Sequence, residues 1–175
     1  MATQSLENRR LARLRTYTID QATAQLESEH PGFKPESIVA SICAYEEEGN
    51  IGGVLDKMPA LINGELYTTL VVVDGGDDKT AAIARSYPGV IVIEFPVNLG
   101  HGVALQVTYR YCIDHHVKYI VTLDADGQND PAEIPQVLRR CSATGPTSSL
   151  RAAVLVSTGP RTVFERPACA SSRSS

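Results

Sequence analysis

The sequence predicts an α/β fold: a mostly parallel sheet with helices on both faces. Three observations carry this. Four short runs, SIVASICAY, TTLVVVD, GVIVIEF and KYIVTLD, are apolar and rich in β-branched residues. They are apolar at consecutive positions, as strands covered on both faces are. Segments of helical length separate them, and parallel neighbours need crossovers of that size. The crossovers are expected to be right-handed.

The elements follow in chain order. Residues 1–36 form a polar, helix-prone extension, LENRRLARLRTYTIDQATAQLESE, broken by HPGFKP with its Pro31, Gly32 and Pro35. It reads as a solvated helix on the outside of the domain. Acidic residues mixed with the arginines make a membrane-resting surface the weaker reading. Residues 37–140 are the α/β unit. SIVASICAY is its first strand, and NIGGVLDKMPALI a helix disturbed by Pro59. TTLVVVD is the second strand and DDKTAAIARSYP a short helix. GVIVIEF is the third strand, followed by the long helix LGHGVALQVTYRYCIDHH. KYIVTLD is the fourth strand and PAEIPQVLRRC the last helix. Residues 141–175 hold eight serines, no Asp, no Lys and one acid, Glu165. They read as a flexible, low-complexity tail in which AAVLVST makes one short strand.

A chain of 175 residues with 43% hydrophobic and 21% charged content has room for one domain with a core. A net charge of −4 argues against a nucleic-acid partner, because phosphate backbones favour a basic face. No apolar run is long enough to span a bilayer, so no transmembrane segment is expected. Arg9, Arg10, Arg13 and Arg15 interrupt any signal core. The chain therefore reads as cytoplasmic, or as peripheral at the cytoplasmic membrane face. Cys43, Cys112, Cys141 and Cys169 form no C-x-x-C pair, which sets zinc and redox motifs aside. His115 and His116 are adjacent and diverge on a helix, so a histidine-based metal site is not expected there.

Ligands of open parallel sheets bind beyond the carboxyl ends of the strands. The first strand delivers Tyr45, Glu46 and Glu47 there, and the second Asp74 with a glycine turn. The third leads through Phe95 and Pro96 to Asn98, Gly100 and Gly102. The fourth ends in Asp124, Asp126 and Gln128. Some of these have plain structural explanations. Asp74-Gly75-Gly76 reads as a turn, and Asn98 as a cap for the long helix. Asp130, Pro131 and Glu133 fit the N-cap, first and third positions of the last helix. Asp124 and Asp126 would face opposite ways in a regular strand. A turn starting at Ala125 or Gly127 would bring both to one ion. Two carboxylates with the Gln128 amide oxygen form a hard donor set that suits Mg²⁺ or Mn²⁺ and leaves positions open for phosphate oxygens.

Together ICAYEEEGNIGGVL, VVVDGGDDKTAAIA, NLGHGVAL and YIVTLDADGQNDPAEIP resemble the nucleotide-sugar domain of family 2 glycosyltransferases. The subgroup most similar is the dolichol- or polyprenyl-phosphate mannosyl- and glucosyltransferases. The likeness runs from about 38 to 140. It implies a GT-A fold and inverting transfer from a GDP- or UDP-sugar, with a polyprenyl phosphate as acceptor. It implies that Tyr45, Glu47 and Asp74 hold the nucleoside and that Asn98 joins the donor site. Asp124, Asp126 and Gln128, a DXD-type motif, would stand at the diphosphate and its Mg²⁺ or Mn²⁺. It assigns no catalytic base, since a phosphate acceptor is already ionised. The family pattern has Pro where Cys43 stands and a second Asp where Gly75 stands, which bears on the nucleoside contacts. The resemblance stops near Arg140, so the fold is expected to be incomplete on its C-terminal side. The loss of Asp and Lys beyond that point is what a truncated or frame-shifted continuation produces, and reading the other two frames tests that.

Two rivals fit less well. A dinucleotide-dependent oxidoreductase needs G-x-G-x-x-G after a strand, and GHGVAL supplies Leu105 at the third glycine. A phospho-acceptor domain needs an Asp ending the third strand, where Phe95 and Pro96 stand. The serious alternative is a non-catalytic module that binds a nucleotide or nucleotide sugar without an acceptor half.

Overall fold

The computed structural model describes residues 19–142, 151–154 and 163–164. A six-stranded sheet runs in the order β3-β2-β1-β4-β5-β6. Its strands are β1 (Ile38–Ala44), β2 (Thr68–Val73), β3 (Val90–Glu94), β4 (Tyr119–Asp124), β5 (Arg151–Val154) and β6 (Val163–Phe164). The first five are mutually parallel, and β6 returns antiparallel to β5. The four predicted strands all form. Of the AAVLVST run, Ala152–Val154 lie in β5 (Arg151–Val154) beside β4; the remainder of that run and most of the expected tail lie outside the described residues.

Alternation within each strand divides the core into two layers. Ala40, Ile42 and Ala44 of β1 face one side, with Val71, Val73, Val121 and Leu123. Helices α2 (Ile51–Asp56), α3 (Thr80–Arg85) and α5 (Ile134–Ser142) supply that side with Ile51, Val54, Leu55, Ala81, Ala84, Ile134, Val137 and Leu138. Val39, Cys43, Leu70, Val72 and Ile120 face the other. There α4 (His101–Asp114) contributes Val103, Ala104, Val107, Tyr111 and Cys112. Those positions recur three, four and one residues apart, the stripe of a helix lying on a sheet. Each fully buried aliphatic side chain contributes about 1.5–3 kcal/mol. Helix α1, described over 19–29, adds Ala22 and Leu26 to the same layer.

Local chemistry sets the boundaries. The predicted second helix is shorter than expected: it stops at Asp56, three residues before Pro59, with weak helix formers Gly52 and Gly53 inside it. Tyr87 ties it to α3, its hydroxyl donating to Gly52 O at 3.1 Å and Asp56 Oδ1 at 2.9 Å. Asp130 does cap, its side chain accepting the Ala132 N–H at 3.0 Å with Pro131 next. The first turn is 3₁₀, Pro131–Glu133, before α5 begins. Asn98 does not cap α4. That position belongs to Gly100 at φ 93°, a conformation that favours glycine, which has no side chain to cap with. Inside the sheet–α4 layer, the Ser41 and Thr108 hydroxyls share a buried hydrogen bond of 2.8 Å. No described helix is long and apolar enough to cross a membrane.

Candidate functional site

From β1 the sheet grows outward through β2 and β3 on one side, and through β4 and β5 on the other. The order therefore reverses between β1 and β4, and open α/β sheets bind ligands in the crevice at such a switch point. Cys43 of β1 is in register with Asp124 of β4 at this place. A cavity of about 370 Å³ opens beside them.

Each strand end sends residues to its wall. From β1 come Cys43, Tyr45 and Glu47. Tyr45 is 45% exposed, so its ring is available to a ligand. The turn that carries it is clamped from the α3 side. Thr80, fully buried, accepts the Glu47 N–H at 2.8 Å. Asp78 accepts the Glu48 N–H at 3.0 Å, the Thr80 N–H at 3.0 Å and the Thr80 hydroxyl at 2.8 Å. Burial raises the Asp78 pKa, but these bonds outweigh it and hold the carboxyl below its ordinary value. The Glu47 carboxylate accepts from the Asn50 side chain at 2.7 Å.

From β2 comes Asp74, 4% exposed. Its Oδ1 accepts the Leu99 N–H at 2.7 Å, which ties the β3–α4 loop to the end of β2. Gly75 follows at φ 72°, and a Cβ there would stand 2.5 Å from Asn98 N and from Val97 C. Gly75, at the place where the family pattern has Asp, is thus required by the close passage of the next loop. That loop brings Asn98, Gly100 and His101 to the wall.

From β4 come Asp124 and Asp126. The chain turns at Ala125, which is 1% exposed and packs into the core. This turn breaks the strand alternation, so both carboxylates border the same cavity. Asp126 Oδ1 accepts the Gln128 N–H at 2.9 Å, which holds the turn. Gln128 is exposed and does not border the cavity. His101 Nδ1 lies 3.8 Å from Asp124 Oδ1. Burial pushes the Cys43 thiol up to about 12, and the charges of Asp124 and Asp74 act in the same direction. Cys43 therefore stays a protonated part of the wall.

Six of the seven sequence-predicted site residues thus meet at one cavity: Tyr45, Glu47, Asp74, Asn98, Asp124 and Asp126. Cys43, noted above as a departure from the family pattern, joins them, and so does His101, which was not singled out. His101 had one signal, its place between two glycines where a strand end passes into a helix. Among the described residues no three His, Cys, Asp or Glu side chains converge as a ready-made metal cage. A pair of carboxylates facing an open cavity fits a hard cation that completes its shell with phosphate oxygens and water.

Comparison with known proteins agrees with this geometry. Residues 40–165, more than half of the chain, match the family described as Glycosyl transferase family 2. The chain belongs to this family. Its sheet and flanking helices are those of the GT-A fold. The match runs past Arg140, where the sequence resemblance had ended, and takes in β5 and β6. An uncharacterised protein of Methanocaldococcus jannaschii is 36% identical over 105 residues, 59% of this chain and 41% of that one. A dolichyl-phosphate beta-glucosyltransferase of Trichomonas vaginalis is 30% identical over 54% of this chain and 32% of its own length. An undecaprenyl-phosphate 4-deoxy-4-formamido-L-arabinose transferase of Edwardsiella ictaluri is 31% identical over 61% of this chain and 34% of its own. The chain thus spans less than half the length of these relatives. A mycobacterial protein of known crystal structure superposes with a TM-score of 0.50 at 25% identity, over 71% of this chain and 41% of that one.

Proposed function

We propose that the chain carries the donor half of a metal-dependent, inverting glycosyltransferase that moves a sugar from a UDP- or GDP-sugar to a polyprenyl phosphate. The observation that carries this is the meeting of Tyr45, Glu47, Asp74, Asn98, Asp124 and Asp126 at the switch-point cavity. In this reading residues 37–140 hold the donor. The exposed Tyr45 ring offers a face to the base, and base–aromatic stacking contributes about 1–3 kcal/mol. Glu47 and Asp74 accept hydrogen bonds from the nucleoside. Asp124 and Asp126 hold Mg²⁺ or Mn²⁺ at the diphosphate. When bound, the cation offsets the charge left on the diphosphate as the sugar–phosphate bond breaks. The anomeric carbon passes through an oxocarbenium-like state, as in glycoside cleavage. An ionised phosphate acceptor attacks from the opposite face and needs no general base. The lipid-phosphate acceptor is supported by what the Trichomonas and Edwardsiella relatives are named for.

A second reading is a module that binds the nucleotide sugar without transferring it. Calorimetric titration of UDP, GDP and their sugars with Mn²⁺, followed by a donor-consumption assay with polyprenyl phosphate, tests both. Metal-dependent binding of one nucleotide, lost in Asp126→Ala, is expected. Unchanged Mn²⁺-dependent affinity in that variant refutes the metal assignment. Binding without transfer or hydrolysis leaves the module reading.

A further inference from the structure

We propose that His101 is a further donor to the cation held by Asp124, and that it sets which cation the site prefers. This rests on the metal reading above and deepens it. His101 opens α4, and Asp124 closes β4; both border the cavity. Their side chains are 58% and 53% exposed, and no hydrogen bond among the described residues engages either. His101 Nδ1 and Asp124 Oδ1 are 3.8 Å apart, too far for a hydrogen bond. The gap suits a bridging ion. Around an octahedral cation with bonds of about 2.1 Å, donors sit about 3.0 Å apart when adjacent and about 4.2 Å when opposite. The observed separation falls between those limits. The pair can therefore close on one ion by a small side-chain rotation, which exposed side chains make freely.

Chemistry then gives the preference. Mg²⁺ favours oxygen ligands and sheds water reluctantly. Imidazole nitrogen suits the later first-row transition ions best, and affinity for such a site rises along that row from Mn²⁺, whereas Mg²⁺ keeps to oxygen. A site of two carboxylates alone would separate Mn²⁺ from Mg²⁺ weakly. One that adds His101 selects Mn²⁺ and its heavier neighbours. Asp126, held on its turn by the Gln128 N–H, serves as the oxygen ligand common to all of them.

The test uses the full chain and Mn²⁺ as probe, first alone and then with UDP or GDP. Pulsed EPR of bound Mn²⁺ reads directly coordinated imidazole as ¹⁴N modulation. Modulation in the wild type and its absence in His101→Gln is expected. Titration should show His101→Gln losing about tenfold in Mn²⁺ affinity while Mg²⁺ affinity moves less than about twofold. His101 is exposed at the first position of its helix, so the substitution leaves the fold intact, and circular dichroism checks this. Bound Mn²⁺ that is lost in Asp126→Ala yet shows no ¹⁴N modulation overturns the role of His101 and leaves the metal reading standing. Equal weakening of Mn²⁺ and Mg²⁺ in His101→Gln overturns it as well. No bound Mn²⁺ with or without nucleotide ends both.

Discussion

Replacing Gly75 with Ala tests whether the donor cavity is built by two loops in contact. Two costs can be worked out. Gly75 sits at φ 72°, where an L side chain costs about 1–2 kcal/mol. The new Cβ also lands 2.5 Å from Asn98 N and Val97 C, which are backbone atoms and cannot swing aside. The loop must retreat, and with it goes the Leu99 N–H bond to Asp74 at 2.7 Å. A hydrogen bond to a charged group contributes about 1.5–3 kcal/mol. The total is roughly 2.5–5 kcal/mol. Gly89→Ala is the control: Gly89 lies at φ 79° with nothing within 4 Å of its Cβ position. It bears only the same conformational cost, about 1–2 kcal/mol. The smaller unfolded-state entropy of Ala is common to both and cancels. Urea unfolding of the two variants gives the difference, and nucleotide titration should show weakened binding in Gly75→Ala alone. If the two lie within about 1 kcal/mol of each other and bind nucleotide equally, the loop contact does not shape the site.

Two further predictions concern the core. Thr108→Val removes one half of the buried Ser41–Thr108 pair and leaves the Ser41 hydroxyl unpaired, so stability should fall by about 1–3 kcal/mol in urea unfolding. Ser41→Ala combined with it should recover part of that loss. Burial pushes the Cys43 and Cys112 thiols from 9.0 to about 12. Their protonated state thus stabilises the fold fully below pH 9, and that contribution is lost as pH rises toward 12. Unfolding followed against pH above 9 should show the decline, with Cys112→Ala reducing its slope by about 1.4 kcal/mol per pH unit.

The strands were legible because each is a compact β-branched run with both faces covered, as with the fully buried Val71 and Val72. The Asp130 cap was legible because capping is local and uses a residue's near neighbours. What was not legible depends on contacts between distant segments. Asn98 has the chemistry of a cap, yet Gly100 takes that position because the backbone turns there with positive φ. Asp124 and Asp126 were expected together if the chain turned at Ala125 or Gly127, and the burial of Ala125, which decides between the two, depends on the core rather than on local pattern. Gly75 reads as a lost aspartate, and only the passage of Val97 and Asn98 beside it explains the glycine. The His101–Asp124 pair joins the start of a helix to the end of a strand, which no local pattern announces.

Asp74 shows how one carboxylate can serve both the fold and the site, and how the two are separated. It is almost fully buried, borders the cavity and accepts the Leu99 N–H. If it only holds the loop, an oxygen acceptor of the same shape should suffice. Asp74→Asn presents one, since its amide oxygen can take the Leu99 N–H, and its stability should stay within about 1 kcal/mol of wild type. Asp74→Ala leaves that N–H unpaired and should lose about 2–3 kcal/mol. The proposed role as a nucleoside ligand adds a second requirement, because a charged acceptor binds a base or ribose donor about twice as strongly as a neutral one. Under that role both variants bind UDP or GDP more weakly, including the stable Asp74→Asn. Calorimetry on the two variants decides the matter. Full nucleotide affinity in Asp74→Asn, with loss only in Asp74→Ala, would reduce Asp74 to a clasp between two loops and leave Tyr45 and Glu47 to hold the nucleoside.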